Sequence, residues 1–330
     1  MKLLLLFSAL ILILLTGCSQ KKLTVSALHP GKVEKKYHSI GIFNFINDDI
    51  NQKISLEEAL VNKVINGKRV FNLKYDNDVD VILNGEVLES SLFLRPYYNE
   101  KIDYNRCIKF SEEIREKDKK TKDKKVKRVC ERYKIIRVPC EERDYKVSTK
   151  VDLIDAKNRN LLFTKIYTNT YSENFCFNNH HRNYIPHQIP RNKYEINSNL
   201  ASELSNEIIK DISPHYVYFN IPIMSELDDN KIKYLDTQID DFDLIIDLLI
   251  SGNIEKAKEK LESFDARSVE AIYNLALIYE YKNQLEYAHK LYKQAYKMTD
   301  NIEYLRLINS ALNRTKINLE EKIKAKSQLP

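Results

Sequence analysis

The chain of 330 residues has no tryptophan, 6 glycines and 3 methionines. With glycine so scarce, none of the G-x-G-x-x-G, G-x-x-x-x-G-K or G-x-S-x-G patterns that frame phosphates or nucleophiles occurs. There is no H-E-x-x-H and no C-x-x-C. Catalysis therefore has no candidate constellation, no cofactor or metal is implied, and the chain is read as not an enzyme. The charge balance of 53 basic and 47 acidic side chains is too even to indicate a nucleic-acid partner. Beyond the first residues, no apolar stretch is long enough to cross a bilayer. Scarce Gly and Trp beside abundant Lys, Asn, Ile and Tyr are a compositional bias from which no function is drawn.

What is present begins at the N-terminus. Met1-Lys2, an apolar run from Leu3 to Leu15, and Leu15-Thr16-Gly17-Cys18 make a charged n-region, an apolar core and small residues before a cysteine. The segment resembles a bacterial lipoprotein signal over residues 1–17. That resemblance implies that the Cys18 thiol accepts a diacylglycerol, that cleavage falls just before it, and that the new amine is acylated. Three acyl chains at roughly 0.8 kcal/mol per buried methylene form a stable anchor, which one chain does not. With Ser19 rather than aspartate after the cysteine, the pattern points to the outer membrane, facing the periplasm. Residues 18–37, rich in lysine and poor in large apolar residues, read as a tether.

Order is predicted from Ile40. Ile40–Ile46 reads as a strand, Ser55-Leu-Glu-Glu58 as a capping box opening a helix, and Gly67 as the glycine that stops it. Strands follow at Val70–Leu73, Val79–Leu83 and Val87–Leu94. Residues 145–155 alternate, with Tyr145, Val147, Thr149, Val151 and Leu153 on one side, and pair through a turn at 155–160 with Leu161–Thr170. A helix over Tyr194–Ile212 ends before Pro214, and Tyr216–Ile223 reads as a last strand. The charged hairpin insertion at about 95–144 has nine Lys or Arg and five Asp or Glu between Glu112 and Arg128. A lipid-facing strand needs about 9–11 residues with every second one apolar, and the expectation is that the insertion offers no such pair.

From Asp240 the pattern turns helical. Ala271-Ile-Tyr-Asn-Leu-Ala-Leu-Ile-Tyr279 with Ala288, Tyr292 and Ala295 resembles a tetratricopeptide repeat, and Leu244, Leu248, Gly252, Ala257 and Leu261 fit a shortened earlier copy. Residues 302–324 would cap it. Tyr273, Tyr281, Tyr287 and Tyr296 are candidate partner-binding residues of this domain over 240–325.

Three stretches of the first domain, Ile40-Gly-Ile-Phe-Asn-Phe, Asp80-Val-Ile-Leu-Asn-Gly-Glu-Val87 and Val151-Asp-Leu-Ile-Asp155, resemble strands of the curli-secretion (CsgG-like) lipoproteins. Related families are the penicillin-binding-protein activators and the Tol amino-terminal domain. The resemblance covers about 38–223. It implies an α+β fold, a mixed-sheet α/β sandwich at 38–225 with helices on one face, used for assembly and partner binding.

Besides Cys18, four cysteines remain, Cys107, Cys130, Cys140 and Cys176, which in an oxidising compartment allow three connectivities. With a three-residue turn at 157–159, Cys140 and Cys176 fall opposite one another, leaving Cys107 with Cys130 to close the insertion. Cys176, His180, His181 and His187 are close enough in sequence to suggest zinc, but the adjacent histidines cannot point the same way in regular structure, and a solvated loop is the reading adopted.

The sequence thus leads to an outer-membrane lipoprotein acting as a scaffold or assembly factor for other envelope proteins. A curli-type secretion-channel subunit and a cell-wall synthase regulator are the alternatives, and the oligomeric state stays open.

Overall fold

The computed structural model describes residues 21–76, 78–115, 125–180, 183–186, 191–228 and 232–329. The expected signal peptide, Cys18 and the centre of the charged insertion lie outside these. The described chain is mixed α/β with seven helices, and it forms two compact units, Tyr37–Asp211 and a second made of residues up to Lys36 together with Ile212–Pro330. No described helix is long and apolar enough to cross a membrane.

The Tyr37–Asp211 unit contains β2 (Ser39–Ile46), α1 (Gln52–Val61), β3 (Val64–Ile65), β4 (Lys68–Arg69), β5 (Asn72–Leu73), β6 (Val81–Arg115), β7 (Lys125–Asp155), β8 (Leu161–His180), β9 (Asn183–Pro186) and α2 (Lys193–Ile212), whose last residue falls to the other unit. Its six-stranded sheet runs β5-β2-β6-β7-β8-β9. Strand β2 is parallel to β5 and β6, and the remaining neighbours are antiparallel. Odd residues of β7 from Tyr145 to Leu153 are fully buried, as their alternation requires when one face is covered.

Both helices sit on that face. Gln52 of α1, fully buried, donates from Nε2 to Ala201 O (2.8 Å) and Ser205 Oγ (2.7 Å) of α2, while Oε1 accepts from the Thr149 hydroxyl (3.1 Å). One amide, with every polar atom satisfied, ties two helices to the sheet. The Phe45 ring packs over Gly85 of β6, 2.2 Å from where a Cβ would lie, so a larger residue there would push the ring aside.

Helix α1 corrects two sequence expectations. It starts at Gln52 because the Asp48 carboxylate accepts the Gln52 and Lys53 amides (2.7 and 2.9 Å), which leaves Ser55 inside the helix. Gly67 is not its terminator. It takes φ +77° in the turn between β3 and β4, and Asn62 caps the helix.

The other unit contains β1 (Lys22–His29), β10 (His215–Pro222), α3 (Asp236–Ile250), α4 (Ile254–Ser263), α5 (Val269–Tyr281), α6 (Leu285–Met298) and α7 (Ile302–Gln328). The expected tether at 18–37 is thereby corrected. Leu23, Val25, Ala27 and Leu28 are buried, and β1 pairs antiparallel with β10 from Lys22↔Pro222 to His29↔His215. The last strand likewise joins this helical unit rather than the six-stranded sheet. Alternation across the Lys-rich segment carries the signal, and the lysines hide it. Gly31 continues the path, where a Cβ would meet the Ser213 amide nitrogen at 2.6 Å.

Two buried polar side chains inside this unit, Glu280 and Asn274, are closely paired. Glu280, wholly buried, accepts two bonds from the Arg314 guanidinium (2.7 and 2.9 Å) and one from the Tyr292 hydroxyl (2.9 Å). Asn274 closes both the amide and the carbonyl of Met224 (3.1 and 2.7 Å). Removing one partner of a buried pair leaves the other charge uncompensated, at a cost of about 3–5 kcal/mol. Arg314→Ala is therefore expected to lower the unfolding free energy by that order, with Glu280→Leu/Arg314→Met recovering most of the loss in urea titrations.

Asp80 supplies a pH-dependent contribution. Its carboxylate accepts the Ser39 amide (2.9 Å) and the His38 amide (3.0 Å) at the start of β2, and these bonds, Ser39 foremost, lower its pKa from 3.8 to about 2. The folded value lies below the unfolded one, so this stabilisation is complete above about pH 4 and fades as the pH falls toward 2. Thermal melts of Asp80→Asn should be less stable than the parent at pH 6, with the difference closing toward pH 2.

Candidate protein-docking surfaces

Strand β7 pairs with β8 only from Ile154 to Cys140, whereas its pairing with β6 continues outward to Arg115↔Lys125. Beyond Tyr97↔Cys140 the sheet narrows to a two-stranded ribbon, roughly 50 Å long at about 3.3 Å per residue of β7. One face carries the facing pairs Tyr98↔Pro139, Glu100↔Arg137 and Ile102↔Ile135. Tyr98 is 71% exposed, and Ile102 and Ile135 are more than half exposed. Farther along β6, across a stretch where the ladder register shifts, Tyr104, Ile108 and Phe110 are also more than half exposed. A soluble surface rarely offers so many large apolar side chains in one strip unless something covers it.

Two devices hold the ribbon in shape. Near its middle the ladder slips between Asp103 and Cys107, where the Asp103 carboxylate accepts the Asn105 amide (3.1 Å), and Tyr104 packs edge-on against Tyr133 with ring centroids 5.1 Å apart. Just beyond, Cys107 is bonded to Cys130. At the base, Cys140 faces Cys176 in the ladder and is bonded to it, with Cα atoms 4.0 Å apart. Arg95 there bonds Asp144, which also accepts from the Ser172 hydroxyl (2.6 Å), and these two donors hold the Asp144 carboxyl below the ordinary carboxylate range. The Glu100–Arg137 pair (3.1 Å) lies within the apolar row.

Within the insertion β6 alternates in part, while the facing strand β7 places Glu131 and Arg137 among its odd positions, so no pair of alternating strands is formed. Leu94, Tyr98 and Ile102 share even positions on one face before the ladder slips at Asp103. Glu100 and Arg106 interrupt the row, and the charges at 112–128 mask it in the sequence. Periodicity over 94–110 was the available signal.

In the helical unit, Tyr281, Tyr287 and Tyr296 are exposed, at 45%, 64% and 40%. Tyr273 is not a contact residue. It is fully buried, donates its hydroxyl to Pro222 O (3.0 Å) and packs on Tyr292. A groove of about 670 Å³ lined by His29, Phe219, Asn220, Ser310, Arg314 and Asn318 lies between α7 and β10. Its lining is mostly apolar, with Tyr218, Ile221, Pro222 and Ile317 beside Phe219, while Arg314 is held by Glu280 and the Asn318 amide oxygen lies 3.0 Å from the His29 ring.

Among the described residues, no three His, Cys, Asp or Glu are grouped to hold a metal ion. Cys176 is engaged by Cys140, while His181, His187 and the side chain of His180 lie outside the described residues.

No protein-family model matches the chain, and no curated protein matches it. Among solved structures, the PelC dodecamer from Paraburkholderia phytofirmans is similar at 10% identity and a TM-score of 0.26, covering 58% of this chain and 96% of that one. A likeness of that size carries neither fold nor function.

The two disulfides are expected to act on different parts. Cys140–Cys176 joins strands inside the sheet and Cys107–Cys130 pins the outer ribbon, and loops of these lengths contribute about 3–4 kcal/mol each in the chain-entropy model. Replacing Cys107 and Cys130 by serine should speed proteolysis of the ribbon with little change in the melting of the body, whereas replacing Cys140 and Cys176 should lower the melting temperature.

Proposed function

We propose that this protein is a lipid-anchored, non-catalytic binding protein of the outer membrane, facing the periplasm, that docks another envelope protein on the apolar face of its β6–β7 ribbon. The observation that carries the reading is the exposed row of Tyr98, Ile102, Tyr104 and Ile135 on that paired ribbon. Burying each such side chain is worth about 1.5–3 kcal/mol before ordering costs, enough for a few of them to anchor a partner. The Cys18 signal supplies the anchor in this reading, and confinement to a surface raises the effective concentration toward neighbours.

Membership of the CsgG-like group is supported by element order: its three signature stretches lie on the adjacent strands β2, β6 and β7. A tetratricopeptide-like reading of the helical unit is supported by two successive helix pairs, α3–α4 and α5–α6, with Ala257, Ala276, Ala288 and Ala295 wholly buried, as interlocked small residues require. Tyr281, Tyr287 and Tyr296 then offer a second contact face. A wall-synthase regulator would use the same surfaces and differs only in its partner.

The alternation of β6 favours one other reading, a curli-type channel subunit whose ribbon faces lipid. The Glu100–Arg137 pair weighs against it, because an Arg or Lys on a lipid face costs about 2–4 kcal/mol near the bilayer midplane. A protein interface accommodates such a pair among aromatics.

A photo-crosslinker placed at Tyr98 of the full chain in cells should capture one envelope protein, and Ile102→Asp/Ile135→Asp should abolish that product while secretion and melting stay unchanged. Products containing only lipid would instead carry the channel reading. Silence at Tyr98 with strong products at Tyr287 would move docking to the helices.

A further inference from the structure

We propose that the Lys22–Pro222 end of the β1–β10 sheet is the membrane-contact surface of this protein, held against the lipid headgroup layer. The inference rests on the reading of Cys18 as the acylated residue and goes beyond it by naming which part of the fold meets the bilayer. The fixed structure begins at once: Lys21 O accepts the Ile223 amide at 2.9 Å, and Lys22↔Pro222 opens the ladder. Between an acylated Cys18 and Lys21 there are three residue steps, which span at most about 11 Å fully extended. The headgroup layer of one leaflet is itself about 5–8 Å thick. Even fully extended, the link lets the sheet end rise no more than about 3–6 Å above the headgroups.

A tether of twenty residues would let the body wander by about 25 Å. Three residues do not allow it. Fraying does not lengthen the link either, because Leu23 and Val25 are packed into the same apolar core as Phe242, Ile245, Tyr273 and Ile308. Pulling the first pairs apart would expose that core. The chemistry of the end suits the surface it meets, with Lys21 and Lys22 both exposed and cationic against anionic headgroups. From Lys22, β1 runs about 23 Å to His29, so the residues after His29 mark the end directed away from the lipid.

The test uses the full lipidated chain reconstituted in phosphatidylethanolamine/phosphatidylglycerol vesicles containing a headgroup-nitroxide lipid, with a fluorophore on Thr24→Cys or on Lys32→Cys. Quenching is expected to be several-fold stronger at position 24 than at position 32. A twelve-residue Gly/Ser insertion between Gln20 and Lys21 should bring position 24 down to the level of position 32. Equal quenching at both sites of the parent chain, no quenching at either, or an insertion without effect would overturn the proposal. Intact mass separates this from failure of the anchor itself, since a chain without added acyl mass on Cys18 overturns the lipoprotein reading before any quenching is measured.

Discussion

The eight antiparallel pairs between β1 and β10 are the constraint from which the rest follows. They join residues about two hundred positions apart, so the whole Tyr37–Asp211 unit is an insertion within a fold that begins and ends with the other unit. An inserted domain must have its two chain ends near each other, which is tolerated where termini meet at a surface. Gly31 marks the place, admitted because any side chain there would strike the backbone at Ser213. Closing so long a loop is costly in entropy, and the burial of Leu23, Val25, Ile221 and Ile223 in the helical core offsets it.

The Tyr37–Asp211 unit uses one ladder for two purposes. Near the helices, β6 and β7 are flanked by other strands and covered on one face, so hydrophobic alternation is spent on a core. Farther out the same two strands continue without neighbours, and their alternation is spent on an exposed row. The register shift at Asp103–Cys107 and the disulfide beside it keep a narrow ribbon from slipping, which matters because a two-stranded hairpin alone is marginally stable in water. Function is accordingly sought where a rule of burial is broken. Buried Gln52, Asn274 and Glu280 break the same rule in reverse, and each is fully bonded, so they specify packing and not chemistry.

Much of the architecture was legible from local pattern. The hairpin turn at 155–160, the half-buried strand at 145–153, the helix ending at Ile212 and the helical pairs after Asp236 all follow from periodicity and turn chemistry. Cys140 and Cys176 face one another as the strand pairing suggests, by way of a one-residue register shift between Leu153 and Ile154 that turn chemistry does not reveal. Boundaries set by a competing side chain were not legible. Asp48 moved the start of α1 ahead of a plausible capping box, and nothing in the spacing of Ser55 and Glu58 reveals that a carboxylate upstream has already taken the first amides.

Alone, the sequence determined the classes of element, the cysteine pairing and the absence of the familiar catalytic motifs, since each depends on neighbours a few residues apart or on one strand paired to the next. Only the tertiary structure decided that a lysine-rich segment is a core strand, that the last strand belongs with the helices, that Tyr273 is buried while Tyr287 is not, and that the charged insertion carries an apolar face. Those outcomes depend on what lies across the fold, and burial is a property of the partner surface that no local spacing contains.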